Sequence, residues 1–212
     1  MITITNAIPV VFRHFKHLNT AIDNILTQTI LPNEIIIIIS EYVDNNDNNL
    51  ILSNIEDKVK KYNINFIVDK FVNKQYAGQN RQIAYNLCNS NIIIFQDCDD
   101  LAHKQRNEIL LKIYEKTKSP HILHGWTNDK NSLNKHIDIN QIKIHNKDKI
   151  NKMITTNGPV FLNKSDIGKI TFPNNIKGQD VALNTLLKNK FNSILIQNND
   201  IYIYNLNLSS WK

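Results

Sequence analysis

Five consecutive isoleucines, Ile35 to Ile39, constrain this chain more than any other feature. Side chains alternate between the two faces of a strand, so an unbroken β-branched run is apolar on both. That is the pattern of an interior strand in a parallel sheet with helices on each side. Ile2 to Ile8 reads as a preceding strand ending at Pro9, Ile64 to Val68 as a third, and the run from Asn91 to Gln96 as a fourth. Between them, Leu18, Ala21, Ile22, Ile25 and Leu26 recur at helical spacing behind Asn19 or Thr20 as a cap, with Pro32 closing that helix. The Asn/Asp-rich stretch to Asn49 reads as loop, and Leu50 to Lys61 and Asn80 to Leu87 as further helices. Strands alternating with helices predict an α/β fold with a mostly parallel central sheet flanked by helices.

The second half is less periodic. Ile109, Leu110 and Ile113 mark a helix, His121 to Trp126 a strand, and Val160 to Leu162 a short strand. Val181 to Leu187 reads as a helix, and Ser193 to Tyr204 as one or two closing strands. Asn128 to Lys152 is polar and aperiodic, as functional loops in compact domains are. No repeat or linker divides the chain, so residues 1–212 are expected to form one domain. The 42% apolar and 21% charged fractions are those of a globular protein.

The formal charge of +6 suits an anionic ligand, but no dense Lys/Arg block interleaved with aromatics argues for nucleic acid. Cys88 and Cys98 form no Cys-x-x-Cys pair, so neither a zinc site nor a disulfide framework is indicated, and a reducing compartment is the simpler expectation. Met1-Ile2-Thr3-Ile4 runs straight into a strand pattern without the features of a secretory signal. No stretch approaches the roughly 20 apolar residues of a membrane span. A soluble, cytoplasmic protein is the expectation.

The chemistry concentrates at Asp97-Cys98-Asp99-Asp100, directly after the fourth strand. Open α/β sheets bind ligands at the C-terminal ends of their strands. Asp97 and Asp99, two positions apart at such a tip, can share a hard divalent cation, Mn²⁺ or Mg²⁺, whose remaining ligands are phosphates. An isolated Asp-x-Asp also serves as a solvated turn, with Asp100 capping a helix that starts near Ala102.

Four segments, in order, carry a resemblance. Ile8-Pro9, then Ala21-Ile22-Asp23-Asn24-Ile25-Leu26-Thr27-Gln28-Thr29 and Pro32-Asn33-Glu34-Ile35-Ile36-Ile37, resemble the opening of the family 2 glycosyltransferases of the GT-A fold. Gly78-Gln79-Asn80-Arg81 is similar to that family's Ala-Arg-Asn segment, Phe95 to Asp100 to its strand-terminal Asp-x-Asp-Asp, and Gly178-Gln179-Asp180 to its Gly-Glu-Asp motif. The departures are Ser40-Glu41-Tyr42-Val43 in place of Asp-Asp-Gly-Ser, Val10-Val11 after Pro9, Gln179 for Glu, and no His in Tyr204-Asn205-Leu206-Asn207. A third protein ligand for the ion is therefore not assigned.

The resemblance implies a GT-A domain whose residues 1–100 bind a nucleotide sugar and whose residues 101–212 bind the acceptor. It implies a metal-dependent, inverting transfer from a nucleoside-diphosphate sugar, with a UDP-sugar favoured, to a glycan, protein or lipid-linked hydroxyl. Asp180 is the implied general base. Pro9, Arg13, Ser40, Glu41, Tyr76, Arg81 and Asp97 are candidates for the donor nucleotide, and Asp97 and Asp99 for the metal. A planar guanidinium at Arg81 suits phosphate; a solvated helix residue is the alternative there. His124 and Trp126 are acceptor-side candidates, against a surface His and a core Trp. Competing functions are a sugar-phosphate nucleotidyltransferase, for which five glycines leave little room for a Gly-rich loop, and a non-catalytic nucleotide-sugar or glycan-binding module.

Overall fold

The structure is a computed structural model that describes residues 2–146, 161–174 and 178–205. Strand β1 (Ile4–Val11) leads through a 3-10 turn (Phe12–His17) into helix α1 (Leu18–Leu26), followed by β2 (Glu34–Ser40), α2 (Asn46–Lys60), β3 (Asn65–Lys70), α3 (Ala77–Leu87) and β4 (Ile92–Phe95). The second half runs β5 (Leu101–Ala102), α4 (Arg106–Thr117), β6 (His121–His124), β7 (Lys143–Asn146), β8 (Phe161–Asn163), α5 (Lys164–Ile167), α6 (Gln179–Lys190), β9 (Ile194–Gln197) and β10 (Tyr202–Ile203). Eight strands form one sheet in the order β3-β2-β1-β4-β8-β6-β9-β7, and β5 pairs with β10. The first four strands are mutually parallel. Beyond them β8 runs antiparallel to both β4 and β6, β9 is parallel to β6, and β7 is antiparallel to β9.

The isoleucine run behaves as its pattern requires. Ile35, Ile37 and Ile39 pack with Leu18, Ala21, Ile22 and Ile25 of α1 and Leu52, Ile55 and Val59 of α2. Ile36 and Ile38 point the other way, into a cluster with Ala84 and Tyr85 of α3 and Leu183 and Leu187 of α6. All five are fully buried, and burial of each such side chain is worth roughly 1.5–3 kcal/mol. A third cluster joins Ile92 and Ile94 to Ile109, Leu110 and Ile113 of α4.

Several boundaries differ from the sequence pattern. Pro9 lies inside β1 rather than ending it, in register with Ile38 of β2. The carbonyl of Ala7, which shares Pro9's parity, faces β4 and accepts from the Gln96 N–H; Pro9's missing N–H therefore falls where β4 has already ended and costs no ladder bond. Helix α1 begins at Leu18, its start set by the preceding 3-10 turn, so Asn19 and Thr20 sit inside it and Pro32 follows its end by several residues. Helix α2 starts within the Asn/Asp-rich stretch because Asn45 caps it, accepting from the Asn48 N–H at 2.8 Å. Asp100 caps no helix: Leu101 and Ala102 pair with β10, and α4 starts only at Arg106. Strand β6 stops at His124, and Gly125 after it lies so close to the Asn199 side chain that a Cβ has no room. The segment from Asn128 contains two 3-10 turns and β7; its part from residue 147, like Val160, lies outside the described residues.

Candidate active site

The strand order decides where a crevice opens. The chain builds β1, β2 and β3 outward in one direction and then returns to place β4 on the other side of β1. Ligands in such sheets bind at this switch point, outside the C-terminal ends of the two flanking strands. Two turns meet there: Phe12–His17 after β1, and Asp97 to Asp100 after β4, closed by an Asp100 N–H to Asp97 carbonyl bond of 3.2 Å. Stacking of Phe12 on Phe15, both against Tyr42, anchors the first turn in the core. The buried Cys98 thiol donates to the His14 carbonyl and ties the two turns together. Across the gap, His14 Nδ1 lies 3.0 Å from Asp99 Oδ2.

Two helix N-termini complete the rim. At the start of α3, the Tyr76 N–H donates to Gln79 Oε1, and one turn later Arg81 donates to Asp97 Oδ1 at 2.7 Å. Arg81 is 5% exposed, which excludes a solvated helix residue. At α6, Gly178 takes φ 69°, a left-handed conformation that favours glycine, and Asp180 stands in the first turn. The two helices meet at Gly78, where an added Cβ would lie 2.5 Å from the Pro173 carbonyl and against the Gln179 side chain. This close approach brings Asp180 near Asp97. Burial raises the Asp97 carboxyl above its ordinary range; the Arg81 guanidinium opposes that shift, and the charges of Asp99 and Asp180 reinforce it.

Behind the carboxylates lies a sealed polar layer that sequence reasoning missed. Arg106, 1% exposed, donates to the Phe95 carbonyl at 2.7 Å and to His124 Nε2 at 3.1 Å, and its guanidinium lies 4.8 Å from the centre of the Tyr202 ring. Burial lowers its pKa to about 10, which leaves it charged at neutral pH. The Tyr202 hydroxyl accepts from the Asp97 N–H and also bonds the Asp100 carboxyl. Asp100 is buried and accepts from the Asn205 N–H; desolvation and then repulsion from Asp97 push its pKa up to about 8. Nothing in the sequence distinguishes Arg106 from any other basic residue in the first turn of a helix.

The remaining candidates separate clearly. His124 is no surface group: it is fully buried, its Nδ1 can only donate to the Gly125 carbonyl, and its Nε2 therefore accepts from Arg106. Burial and Arg106 hold its pKa well below the ordinary value, so it is a neutral structural histidine and not an acceptor contact. Ser40 is likewise fully buried, its hydroxyl spent on the Val10 carbonyl and the Asn80 amide, which corrects its assignment to the nucleotide. Pro9 is buried within β1, with no face open to a base. Glu41 follows at φ 59°, a conformation that costs a non-glycine residue roughly 1–2 kcal/mol. Arg13 is exposed on the first turn, and Tyr76 is half-buried. Trp126 is half-buried against the Tyr204 ring, 5.1 Å between centres.

Among the described residues, the buried side-chain polar atoms without a hydrogen-bond partner belong to Gln75, Asn80, Arg81, Gln96, Asp100, Arg106 and Gln179. All lie at the start of α3, the end of β4, the start of α4 or the start of α6, the segments that build this crevice. Native proteins leave few such atoms unpaired, and a cluster of them calls for ordered water, a ligand or an ion. Among the described residues no group of three His, Cys, Asp or Glu side chains is preassembled for a metal. The donor chemistry still fits a hard divalent cation: the carboxylates of Asp97, Asp99, Asp100 and Asp180 repel one another, and Asp100 keeps an unpartnered Oδ2.

The fold has solved counterparts. TarS of S. aureus matches 97% of this chain over 37% of its own length, with a TM-score of 0.71 and 12% identity. A TarS 1-349 structure in complex with UDP-GlcNAc matches 96% of the chain over 58% of its own, at TM-score 0.70 and 13% identity. The mannosyltransferase PcManGT from Pyrobaculum calidifontis, in complex with GDP-Man and Mn²⁺, matches 92% of the chain over 56% of its own, at TM-score 0.60 and 11% identity. The chain thus spans less than two thirds of each of these proteins. Among curated proteins, none matches it. No helix among the described residues is long and apolar enough to cross a membrane. The model of glycosyl transferase family 2 matches residues 7–171, well over half of the chain, and the chain therefore belongs to that family.

Proposed function

We propose that the protein transfers a sugar from a nucleoside-diphosphate sugar to an acceptor hydroxyl with inversion at the anomeric carbon, using Asp180 as general base. The observation that carries this reading is the convergence of the β4 tip, the α3 start and the α6 start on one crevice, with their unpartnered buried polar atoms gathered around it. Family membership supports the reaction class. A UDP-sugar is favoured by analogy with TarS, which has been solved with UDP and UDP-GlcNAc.

Each residue then has a task that follows from its surroundings. Arg81, with its Nε–H unpartnered, offers a donor to the nucleotide while its other arm fixes Asp97. Asp97, held in place by Arg81 and by its own N–H on Tyr202, accepts from the ribose hydroxyls. A divalent cation held at Asp99, beside Asp97, would neutralise charge developing on the departing diphosphate. Asp180 takes the proton of the incoming hydroxyl from the α6 side, and Trp126 offers an aromatic face to the acceptor sugar.

A base of this kind contributes about 10² to 10⁴ in rate. Asp180→Asn is therefore expected to lose that much transfer while keeping donor affinity. The test is a panel of UDP-, GDP- and CDP-sugars assayed with Mn²⁺ and with chelator, with the product anomer read by NMR. Affinity without turnover would identify a binding module instead. Retained configuration would exclude direct displacement, and no response to any donor would overturn the reading.

A further inference from the structure

We infer that His14 is a direct ligand of the divalent cation at Asp99, and that the ion sits between the β1 and β4 turns instead of between Asp97 and Asp99. This rests on the metal-dependent reading above.

The carboxylates flanking Cys98 are not equivalent. Asp97 has Oδ1 engaged by Arg81 at 2.7 Å, and its position is fixed further by its N–H on Tyr202. With Oδ1 held there, Asp97 can turn only Oδ2 to a cation without stripping the nearly buried Arg81 of its counter-charge, and leaving one member of a buried pair alone is costly. Asp99 has no such guanidinium; its partner is the His14 imidazole. The separation of 3.0 Å between His14 Nδ1 and Asp99 Oδ2 is that of a hydrogen bond. It is also the spacing of two adjacent ligands of an octahedral ion, since bonds of about 2.1 Å at right angles place their donor atoms roughly 3.0 Å apart. An ion can therefore replace the shared proton without moving either turn.

The turn is built to hold the ring there. Phe12 and Phe15 are stacked on its core side, and the Cys98 thiol holds the His14 carbonyl. Both side chains remain partly open, His14 at 17% and Asp99 at 14% exposure, which leaves room for waters and phosphate oxygens as the remaining ligands. Imidazole suits Mn²⁺ better than Mg²⁺, which strongly favours oxygen. His17, three positions on along the same 3-10 turn, shares this face and feels the Asp99 charge. Its ring centre lies 6.4 Å from that of His14, and no contact joins it to Asp99, so it is the natural control.

The test is electron spin-echo envelope modulation on the full chain loaded with Mn²⁺, alone and with UDP, with Mn²⁺ affinity measured by calorimetry. A directly bonded nitrogen should modulate the wild-type signal. The modulation should vanish in His14→Gln and persist in His17→Gln. Loss of an outer partner already costs 10- to 100-fold in metal affinity, so His14→Gln should weaken Mn²⁺ binding at least about tenfold. Circular dichroism establishes that each variant is folded. Mn²⁺ bound without nitrogen modulation, or modulation that survives in His14→Gln, would overturn this assignment and leave the glycosyltransferase reading intact. No Mn²⁺ binding, or binding unchanged by Asp99→Asn, would overturn this assignment and the metal-dependent mechanism together.

Discussion

The two halves of the large sheet meet at β4 and are held together by different physics. On the β3-β2-β1 side, parallel strands are filled mainly with aliphatic side chains: the isoleucines of β2 alternate between two helix layers, and the buried polar residues Thr5, Asn6, Glu34 and Ser40 lie at or near the strand ends. On the β8-β6-β9 side, the strands carry His121, His124 and Asn163, and the adjoining segments bury Arg106, Ser119, Asn184 and Ser193. The first half can tolerate a change of shape at the cost of a cavity. The second depends on donors and acceptors that match, and it is the half that supports the acidic tip from behind. A buried polar network is stable only while each member is satisfied.

The difference can be broken or sharpened by substitution. The largest effect is expected for Arg106→Met, which leaves the Phe95 carbonyl and His124 Nε2 without their donor and removes a positive charge next to Asp97 and Asp100. A loss of about 3–5 kcal/mol in urea unfolding is expected; wild-type stability in this variant would erase the distinction between the halves. Ile37→Ala, in the aliphatic half, should cost roughly 3 kcal/mol by cavity formation. Unlike Arg106→Met, it should leave the pH dependence of stability unchanged, and a melting-temperature series across pH checks this.

A second pair of variants reads opposite signs within the polar half. His121 is buried between Ser193 and Asn184, and burial lowers its pKa from 6.5 to about 4. The folded state thus binds fewer protons than the unfolded one in this window, and stability on the order of 3 kcal/mol is lost as pH falls from 6.5 to 4. Asp100 is raised from 3.8 to about 8, so its contribution is present in acid and lost as pH rises through that range. Measured against wild type without metal, His121→Gln should therefore gain stability towards pH 4.5 and Asp100→Asn towards pH 8. A difference from wild type that stays constant with pH would refute either assignment. The smallest effect is expected at the α2 cap, where Asn45→Ala should lower stability by about 1 kcal/mol and leave the site untouched.

How much was legible follows the same division. The interior parallel strands were readable because burial on both faces leaves a local trace, an uninterrupted apolar run, as in Ile35 to Ile39. The acidic cluster was readable because it follows such a run directly. The start of α1 was misread because the 3-10 turn before it hides the cap, and Pro9 because a strand break and a strand interior past its neighbour's end look alike in one dimension. Trp126 and His124 looked equivalent at the end of one strand, yet one is half-buried and the other sealed beneath Arg106.

By itself the sequence determined the α/β class, the apolar strands and the placing of three carboxylates at a strand tip, because each is set by neighbours along the chain. Only the tertiary structure decided which basic side chain faces which carboxylate: Arg81 with Asp97, His14 with Asp99, and Arg106 with neither directly but behind both Asp97 and Asp100. The hydrogen bonds around them join groups as far apart as Asp97 and Tyr202, 105 positions along the chain. Their energies depend on distance and desolvation, and both are set by the packing of the sheet, not by local pattern.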